Sequence, residues 1–441
     1  FCAAFLIAVI TALVKLVSMV KELFVASTYG RGDELDAYLI AFVLPTFAIN
    51  VVAGAFNAAL VPTFVNVRDN KGLTDAQKLF SSVVVLGTLL LVMAALVLAG
   101  LASFILPYLG SAFSEEKLVL TKNLFYLMLP ALVIKGLTTM WGSVLGALER
   151  FTLITAAPAA IPLAIILILL IGGGAWGIYA MAIGTLAGFA IEAGILVCGM
   201  KRHGFSFTPR WYGLDPSVRK VLGQYGPMIA AGMLMSSTEL VDQSMAAALE
   251  PGSVSALGYG NKLVAFALGI GATGLGTAAL PYMSQMVSQR DWGGIRNTLN
   301  RYVSIIFLIT VPLTAVLIFF SEDIVKLLFE RGAFLKGDTQ LVGRVQSRYL
   351  LQVPFYISGI FLVRLISALK ANHVLLWGTI ISVVLNVVLD YLFMKWMGVA
   401  GIALSTAVVY FVAFVYLSLM VSRILSHKDK NCAFFDVGQQ N

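Results

Sequence analysis

The chain has 441 residues, of which 59% are hydrophobic and only 12% are charged, and its formal net charge is +8. An average soluble domain has about 25% charged residues. Apolar stretches of about 20 residues, long enough to cross a bilayer as helix, recur along the chain, and a soluble fold could not bury them all. The composition therefore excludes a soluble globular protein and predicts an all-α integral membrane protein, because the alternation typical of transmembrane β-strands is missing.

The apolar stretches, and the Gly, Pro and charged residues between them, predict about twelve transmembrane helices. The first six lie near residues 3–29, 33–66, 76–106, 117–147, 151–171 and 175–200, and the second six near 215–249, 253–287, 296–320, 340–370, 373–393 and 398–424. Many of these segments exceed the thickness of a bilayer, so we expect tilt or extension beyond the membrane.

Basic residues are concentrated in the loops that follow even-numbered helices, for example Arg68, Lys71, Arg150, Lys201 and Arg202. The positive-inside rule therefore places both termini in the cytoplasm. The same distribution explains the net charge without nucleic acid, and we expect no nucleic-acid partner.

An internal repeat divides the helices into two sets of six. Gly177–Thr185 recurs as Gly398–Thr406, and the motif Asn57–Leu60 recurs as Thr277–Leu280 at nearly the same offset. Because each set has six helices, the repeats keep one orientation in the membrane, and such an arrangement places a substrate cavity between two lobes. The predicted organisation is an N-lobe over 1–200, a cytoplasmic linker over 201–219, a C-lobe over 220–424 and a cytoplasmic tail over 425–441, with a central cavity between the pseudo-symmetric lobes.

Positively charged side chains occur inside predicted spans of both lobes. They are Lys15, Lys21 and Lys135 in the first lobe and Lys262 and Arg364 in the second. Charges inside a membrane are costly and usually functional, and Lys and Arg are natural partners of phosphate. The alternative, snorkelling or pairing with a nearby acid, stays open for Lys15 and Lys135. The set predicts an anionic ligand, with Glu22 moderating the charge of Lys21.

A second group of polar residues belongs to the second lobe. Asn386 and Asp390 are four residues apart and share a helix face, and Asp242 and Thr406 come from other helices. Oxygen ligands of this kind suit a hard cation such as sodium. Protons using the same acids, or a polar network that only joins helices, are the alternatives.

Motifs for other chemistries are missing from the sequence. There is no GxxxxGK[ST] nucleotide loop, so the energy must come from an ion gradient, a membrane potential or another subunit. The three cysteines and three histidines show no metal-binding or catalytic spacing. These observations favour a transporter over an enzyme such as a glycan polymerase.

Several motifs resemble those of the MurJ (MviN) family of lipid II flippases, in the multidrug/oligosaccharidyl-lipid/polysaccharide exporter superfamily. They are Lys21–Ala26, Asp36–Phe42, Gly54–Phe56, Gly252–Val254, Tyr259–Leu263, Leu328–Phe334 and Asn386–Leu389 before Gly398–Ala403. The resemblance covers nearly the whole chain.

The resemblance implies an alternating-access flippase that exports undecaprenyl-pyrophosphate-linked cell-wall precursor across the bacterial inner membrane, coupled to sodium or to the membrane potential. By similarity, the substrate-binding residues are Lys15, Lys21, Glu22, Asp36, Lys262 and Arg364, and the sodium ligands are Asp242, Asn386, Asp390, the carbonyl of Ile402 and Thr406. No organic cofactor is expected. The expected partners are the lipid-linked glycan pyrophosphate, membrane lipids and proteins of cell-wall synthesis, and the chain is expected to be a monomer.

The sequence departs from the family pattern at several positions. Lys15, Lys21 and Lys262 stand where the family has arginine, which keeps the charge but loses the planar, bidentate guanidinium. Ile49 and Asn50 replace a usual arginine pair, and twelve helices are predicted where fourteen are common. A flippase for a lipid-linked exopolysaccharide or O-antigen unit is therefore an alternative. A cation-coupled multidrug exporter is a second, although the lysines argue against its acidic cavity.

Overall fold

The computed structural model describes residues 2–202, 210–289 and 291–438, and the elements found there are helices and turns. The first helices are α1 (Cys2–Tyr29), α2 (Asp33–Lys71), α3 (Leu73–Leu109), α4 (Glu115–Ala147), α5 (Phe151–Ala156), α6 (Ala160–Trp176), α7 (Ile178–Arg202) and α8 (Pro216–Ala247). The others are α9 (Ser253–Ser288), α10 (Trp292–Phe319), α11 (Ser321–Phe329), α12 (Lys336–Leu350), α13 (Val353–Ala368), α14 (Asn372–Met397) and α15 (Val399–Gly438). A short 3₁₀ turn, Ala157–Ala159, joins α5 to α6.

These helices match the twelve predicted spans. The fifth span is formed by α5 and α6 together and the tenth by α12 and α13, whereas α11 lies in a segment predicted as a loop. Nine segments of the described residues are long and apolar enough to cross a membrane. The other three long helices, α1, α8 and α9, coincide with predicted spans. The prediction of an all-α, multi-span membrane protein is confirmed.

The two copies of the internal repeat begin with the same backbone turn. Gly177 ends α6 with φ 52° and ψ −139°, and Gly398 ends α14 with φ 59° and ψ −140°. A positive φ is readily adopted by glycine, which has no Cβ. The repeat therefore extends from sequence to local geometry.

The helices form two compact units. Unit 1 comprises Phe1–Ser255 and Phe329–Leu335, and unit 2 comprises Ala256–Leu328 and Lys336–Asn441. Buried side chains of α2, α3 and α4, among them Phe56, Phe64 and Trp141, form a core in unit 1. In unit 2 a core joins α10, α13 and α15.

The compact units divide the chain at a different place from the repeat. Helix α8, which the repeat assigns to the second lobe, packs along α2 in unit 1, where the Tyr225 hydroxyl donates to the Val52 carbonyl at 2.8 Å. The lobe boundary drawn from the repeat stays a prediction, and residues 203–209 of the linker lie outside the described residues. Helix α15 continues to Gly438, past the predicted end at 424, and residues 425–437 contain no Gly or Pro that would end it.

Candidate functional site

The carboxylate of Asp36, in the first turn of α2, is held by the turn between α8 and α9 and by the first turn of α9. Asp36 is only 1% exposed. Its Oδ1 accepts the Ser255 N–H at 2.8 Å, and its Oδ2 accepts the Gly252 N–H at 2.7 Å and the Lys117 ammonium at 3.2 Å. Buried carboxylates need such donors, since an uncompensated one costs several kcal/mol. In this conformation, the charge of the Asp36 carboxylate is compensated by donors of the same chain.

Local sequence explains why the α8–α9 turn fits against Asp36. Gly252 has a φ of 81°, and a Cβ there would lie 2.7 Å from the Cγ of Arg31. The Arg31 guanidinium donates to the Pro251 carbonyl at 3.2 Å, and the Ser255 hydroxyl donates to the Gly252 carbonyl at 3.0 Å. A side chain at 252 would therefore displace the turn from the carboxylate.

Lys117, in the first turn of α4, completes this group of residues. Its side chain is 7% exposed, and its ammonium donates to Asp33 Oδ1 at 2.5 Å as well as to Asp36. The ammonium also lies 3.9 Å from the centre of the Phe113 ring, a cation–π contact. We call Asp33, Asp36, Lys117, Gly252 and Ser255 the Asp36 cluster.

A cavity of about 130 Å³ adjoins the Asp36 cluster. It is lined by Asp33, Ala112, Phe113, Ser114, Lys117, Leu249 and Pro251. The sequence analysis did not single out Lys117, which lies at the start of the fourth predicted span. The signal was available in Asp33 and Asp36, which are three residues apart in one helical turn and present two carboxylates to a cation.

Two further predicted residues of unit 1, Lys21 and Glu22, form an ion pair near the end of α1. The Lys21 ammonium lies 2.5 Å from Glu22 Oε1, and their side chains are 14% and 11% exposed. Lys15 lies on the same helix and is partly buried. A cation that is paired with an acid binds an added anion less tightly than an unpaired cation does. This agrees with the moderating role that the sequence predicts for Glu22.

Lys135 has an acidic partner. Its ammonium donates to Glu192 Oε1 at 2.8 Å and to Oε2 at 2.9 Å, which joins α4 to α7. The Phe189 ring centre is 5.5 Å from the same ammonium. Pairing with a nearby acid, one of the two interpretations left open for Lys135, is the one that the structure shows.

In unit 2, the predicted sodium ligands Asn386 and Asp390 are buried one turn apart on α14. The Ser405 hydroxyl, on α15, is in hydrogen-bond contact with Asp390 Oδ1 and lies 3.0 Å from the Ile402 carbonyl oxygen. The Thr406 hydroxyl donates to the same carbonyl at 3.2 Å. Sequence reasoning missed Ser405, although it is the neighbour of Thr406.

The donor set around Asp390 fits a hard cation. Carboxylate, amide, hydroxyl and carbonyl oxygens come from α14 and α15, and such oxygens suit sodium. Among the described residues, no group of three or more His, Cys, Asp or Glu side chains is arranged to hold a metal ion. Asp242, the remaining predicted ligand, is partly buried on α8 in unit 1, and the predicted assignment of all five ligands stays a prediction.

The remaining predicted cations belong to unit 2. Lys262 on α9 and Arg364 on α13 are both exposed. Their direct contact with a substrate stays a prediction, as it does for Lys15 and Lys21.

Sequence comparison decides the family. The model of the family described as lipid II flippase MurJ matches residues 25–439. The chain belongs to the MurJ family. The resemblance seen in the sequence motifs is thereby confirmed, and MurJ proteins are named as flippases, so this member is a transporter and not an enzyme.

Curated MurJ relatives match over most of their length. A probable lipid II flippase MurJ of Rickettsia prowazekii is 26% identical over 92% of this chain and 81% of its own. The probable lipid II flippase MurJ of Thermotoga maritima is 27% identical over 92% of this chain and 82% of its own. The lipid II flippase MurJ of Burkholderia cenocepacia is 24% identical over 90% and 79%.

Solved structures share the fold. A lipid II flippase MurJ in an inward closed conformation matches with a TM-score of 0.82 and 24% identity, over 95% of this chain and 87% of that one. An inward-facing MATE-family multidrug resistance transporter of the MOP superfamily matches with a TM-score of 0.73 and 15% identity, over 97% and 99%. The MurJ-family member therefore has the multi-span transporter fold common to both groups.

Proposed function

We propose that this MurJ-family member is a flippase that moves lipid II, an undecaprenyl-pyrophosphate-linked precursor, across the bacterial cytoplasmic membrane by alternating access, with both termini in the cytoplasm. The observation that carries the proposal is the family match over residues 25–439. The matched relatives are named as lipid II flippases. The lysines in apolar helix α1 supply charge of the sign that a pyrophosphate needs.

Lys21 is the proposed first contact for the pyrophosphate. Its ammonium is shared with Glu22, so an incoming phosphate group competes with a carboxylate that is already in place. This competition keeps binding reversible, which a transporter needs because it must release its cargo. Lys15, Lys262 and Arg364 are the proposed additional phosphate contacts, and the lysines bind as point charges without the bidentate geometry of arginine.

The Asp36 cluster is proposed to control one conformational step. Gly252 and Ser255 are fixed to α2 through Asp36, and the chain passes from unit 1 to unit 2 directly after Ser255. Releasing these two N–H groups frees the start of α9. In this proposal, Asp36 therefore acts by holding or releasing backbone N–H groups of its own chain. Its direct contact with substrate stays a prediction.

Sodium is the proposed coupling ion. Asp242, Asn386, Asp390, the Ile402 carbonyl and Thr406 would hold it, and Ser405 would orient the Asp390 carboxylate. When bound, the ion supplies a positive charge that two carboxylates can share. Coupling requires that the two conformations bind sodium with unequal affinity.

Transport in proteoliposomes tests the function. Purified protein is reconstituted with lipid II, and the fraction of lipid II that becomes accessible on the opposite leaflet is followed with and without an imposed sodium gradient. We expect flipping that is accelerated by the gradient, and Lys21→Gln is expected to slow it at least about tenfold by removing one charge-assisted phosphate contact. Lys122→Gln, which changes a lysine that donates to Ser103 on the protein surface, is the matched control.

A depletion experiment distinguishes the cargo. When the protein is depleted in its host, lipid II is expected to accumulate in the cytoplasmic leaflet. Accumulation of a lipid-linked exopolysaccharide or O-antigen unit, with lipid II unchanged, would show that the proposed cargo is wrong. The proposal that the protein is a flippase would still hold.

A further inference from the structure

Three donors hold the Asp36 carboxylate, and they belong to two different parts of the chain. Gly252 donates from the α8–α9 turn and Ser255 from the first turn of α9, and Lys117 donates from α4. Helices α2 and α4 pack closely along each other and share the buried core of unit 1. A movement of α9 therefore acts first on the two backbone N–H groups, whereas Asp36 and Lys117 move together.

Loss of the two N–H groups would leave Asp36 with a large desolvation cost. A carboxylate that is 1% exposed and loses its donors is strongly destabilised unless a counterion remains. Lys117 lies 3.2 Å from Oδ2 and is itself buried. Its second partner, Asp33, is 58% exposed at the rim of the cavity, so the group carries its excess negative charge at the surface.

We propose that Lys117 is a positioning residue for the transport cycle: it keeps Asp36 charged and oriented when the α8–α9 turn leaves, and thereby makes opening of the turn reversible. The proposal rests on the alternating access proposed above and assigns a role to a residue outside the predicted substrate and sodium sites. In the closed arrangement, Lys117 shares the compensation of Asp36 with two N–H groups. In the open arrangement, Lys117 is the one of these three donors that still compensates the charge of Asp36.

A purely structural ion pair predicts the opposite effect of removing Lys117. If Lys117 only fastens α4 to α2, its loss loosens the cluster, and the turn opens more often. If Lys117 supports the open arrangement more than the closed one, its loss makes opening rarer. The sign of the change in opening rate separates the two roles.

Cysteine labelling measures the opening rate. Ser253 is buried at the start of α9, beside Gly252 of the turn, so Ser253→Cys reports on exposure of the turn. The reporter is placed in the full chain with Cys2, Cys198 and Cys432 replaced by serine, and the purified protein in detergent is treated with a hydrophilic maleimide. Lys117→Met, which removes the charge and keeps the length of the side chain, is expected to slow labelling about tenfold.

Three further variants test the explanation. Asp36→Asn is expected to accelerate labelling, because a neutral amide holds the two N–H groups less tightly. The double variant Asp36→Asn/Lys117→Met is expected to label within about threefold of Asp36→Asn, because no carboxylate then needs a counterion. Lys117→Arg, which retains the charge, is expected to label within about threefold of the parent.

Lys122→Met on the same helix is the matched control and should leave the labelling rate unchanged. Equal or faster labelling of Lys117→Met would overturn the proposal, and so would equal slowing by Lys117→Met in the Asp36→Asn background. If Lys117→Met is not obtained as folded protein, Lys117→Gln takes its place. Labelling needs no lipid II, so failure of the flippase proposal and failure of this proposal give different results.

Discussion

Asp36 in unit 1 and Asp390 in unit 2 are both buried carboxylates on membrane helices, but their surroundings differ in kind. Asp36 is bound by an ammonium and two backbone N–H groups, all of them donors. Asp390 contacts the Ser405 hydroxyl, and the Ser405 and Thr406 hydroxyls on α15 both lie within hydrogen-bond distance of the Ile402 carbonyl oxygen. Asn386 is buried one turn from Asp390 on α14. The first set compensates a negative charge within the protein, and the second is rich in oxygen ligands for a cation.

In the mechanism proposed above, this difference gives the two buried acids different purposes. Donors that are part of the chain make Asp36 a conformational contact, whose strength depends on where the α8–α9 turn lies. Oxygens that are themselves acceptors make the Asp390 region suited to an external ion. In the proposed mechanism, the same residue type therefore serves as a conformational contact at Asp36 and as a sodium ligand at Asp390, according to its neighbours.

The largest effect is expected from Asp36→Asn. Among the described residues, the substitution leaves buried Lys117 with Asp33 as its one acidic partner, and it weakens the bonds to Gly252 and Ser255. Breaking a buried ion pair costs about 3–5 kcal/mol, so we expect a clear fall in the thermal denaturation temperature. Asp33→Asn is the control, because that carboxylate is largely exposed and should cost about 1 kcal/mol or less. Equal losses for the two variants would contradict the assignment of Asp36 as the central residue.

Asp390→Asn is expected to abolish stabilisation by sodium. A ligand at about 100 times its Kd stabilises the folded state by about 2.7 kcal/mol, which the parent should gain in sodium relative to choline. Asp36→Asn is expected to keep the same gain despite its lower stability. If sodium still stabilised Asp390→Asn, or did not stabilise Asp36→Asn, the proposed difference between the two acids would be contradicted.

Glu192→Gln tests a third buried acid, which forms an ion pair with Lys135. Lys135 would lose a bidentate carboxylate, and we expect a loss of about 1–3 kcal/mol in stability, reduced by the partial exposure of Lys135. The double variant Lys135→Met/Glu192→Gln should recover part of this loss, since it leaves no charge uncompensated. Thermal denaturation measures both, and a sodium response like that of the parent is expected throughout.

The smallest effect is expected from Ser405→Ala. Loss of one buried hydroxyl that contacts Asp390 costs about 0.5–1.5 kcal/mol and should weaken sodium stabilisation without abolishing it. Ser358→Ala in the same unit is the matched control, because this buried hydroxyl has no hydrogen-bond partner among the described residues. A Ser405→Ala protein that matched Ser358→Ala in stability and in sodium response would show that Ser405 does not orient Asp390.

Much of the fold was predictable because it depends on local patterns. Apolar length identified the membrane helices, and Gly177 and Gly398 marked equivalent turns before the structure showed their shared backbone geometry. The short helix α11 was missed because it lies in a polar segment with no membrane-length stretch. The packing of α8 on α2 was also missed, because a sequence repeat reports ancestry of segments and not which helices touch.

The amino-acid sequence alone determined the membrane class, the order of the helices and the family, since these follow from composition, periodicity and motifs along one chain. It also located Lys21, Asp36 and Asp390 as unusual charges. Only the tertiary structure decided what each charge meets, because the partners of Asp36 are distant in sequence at Lys117, Gly252 and Ser255. Whether a buried carboxylate is a substrate contact, an ion ligand or a conformational contact depends on those neighbours, and helix packing supplies them.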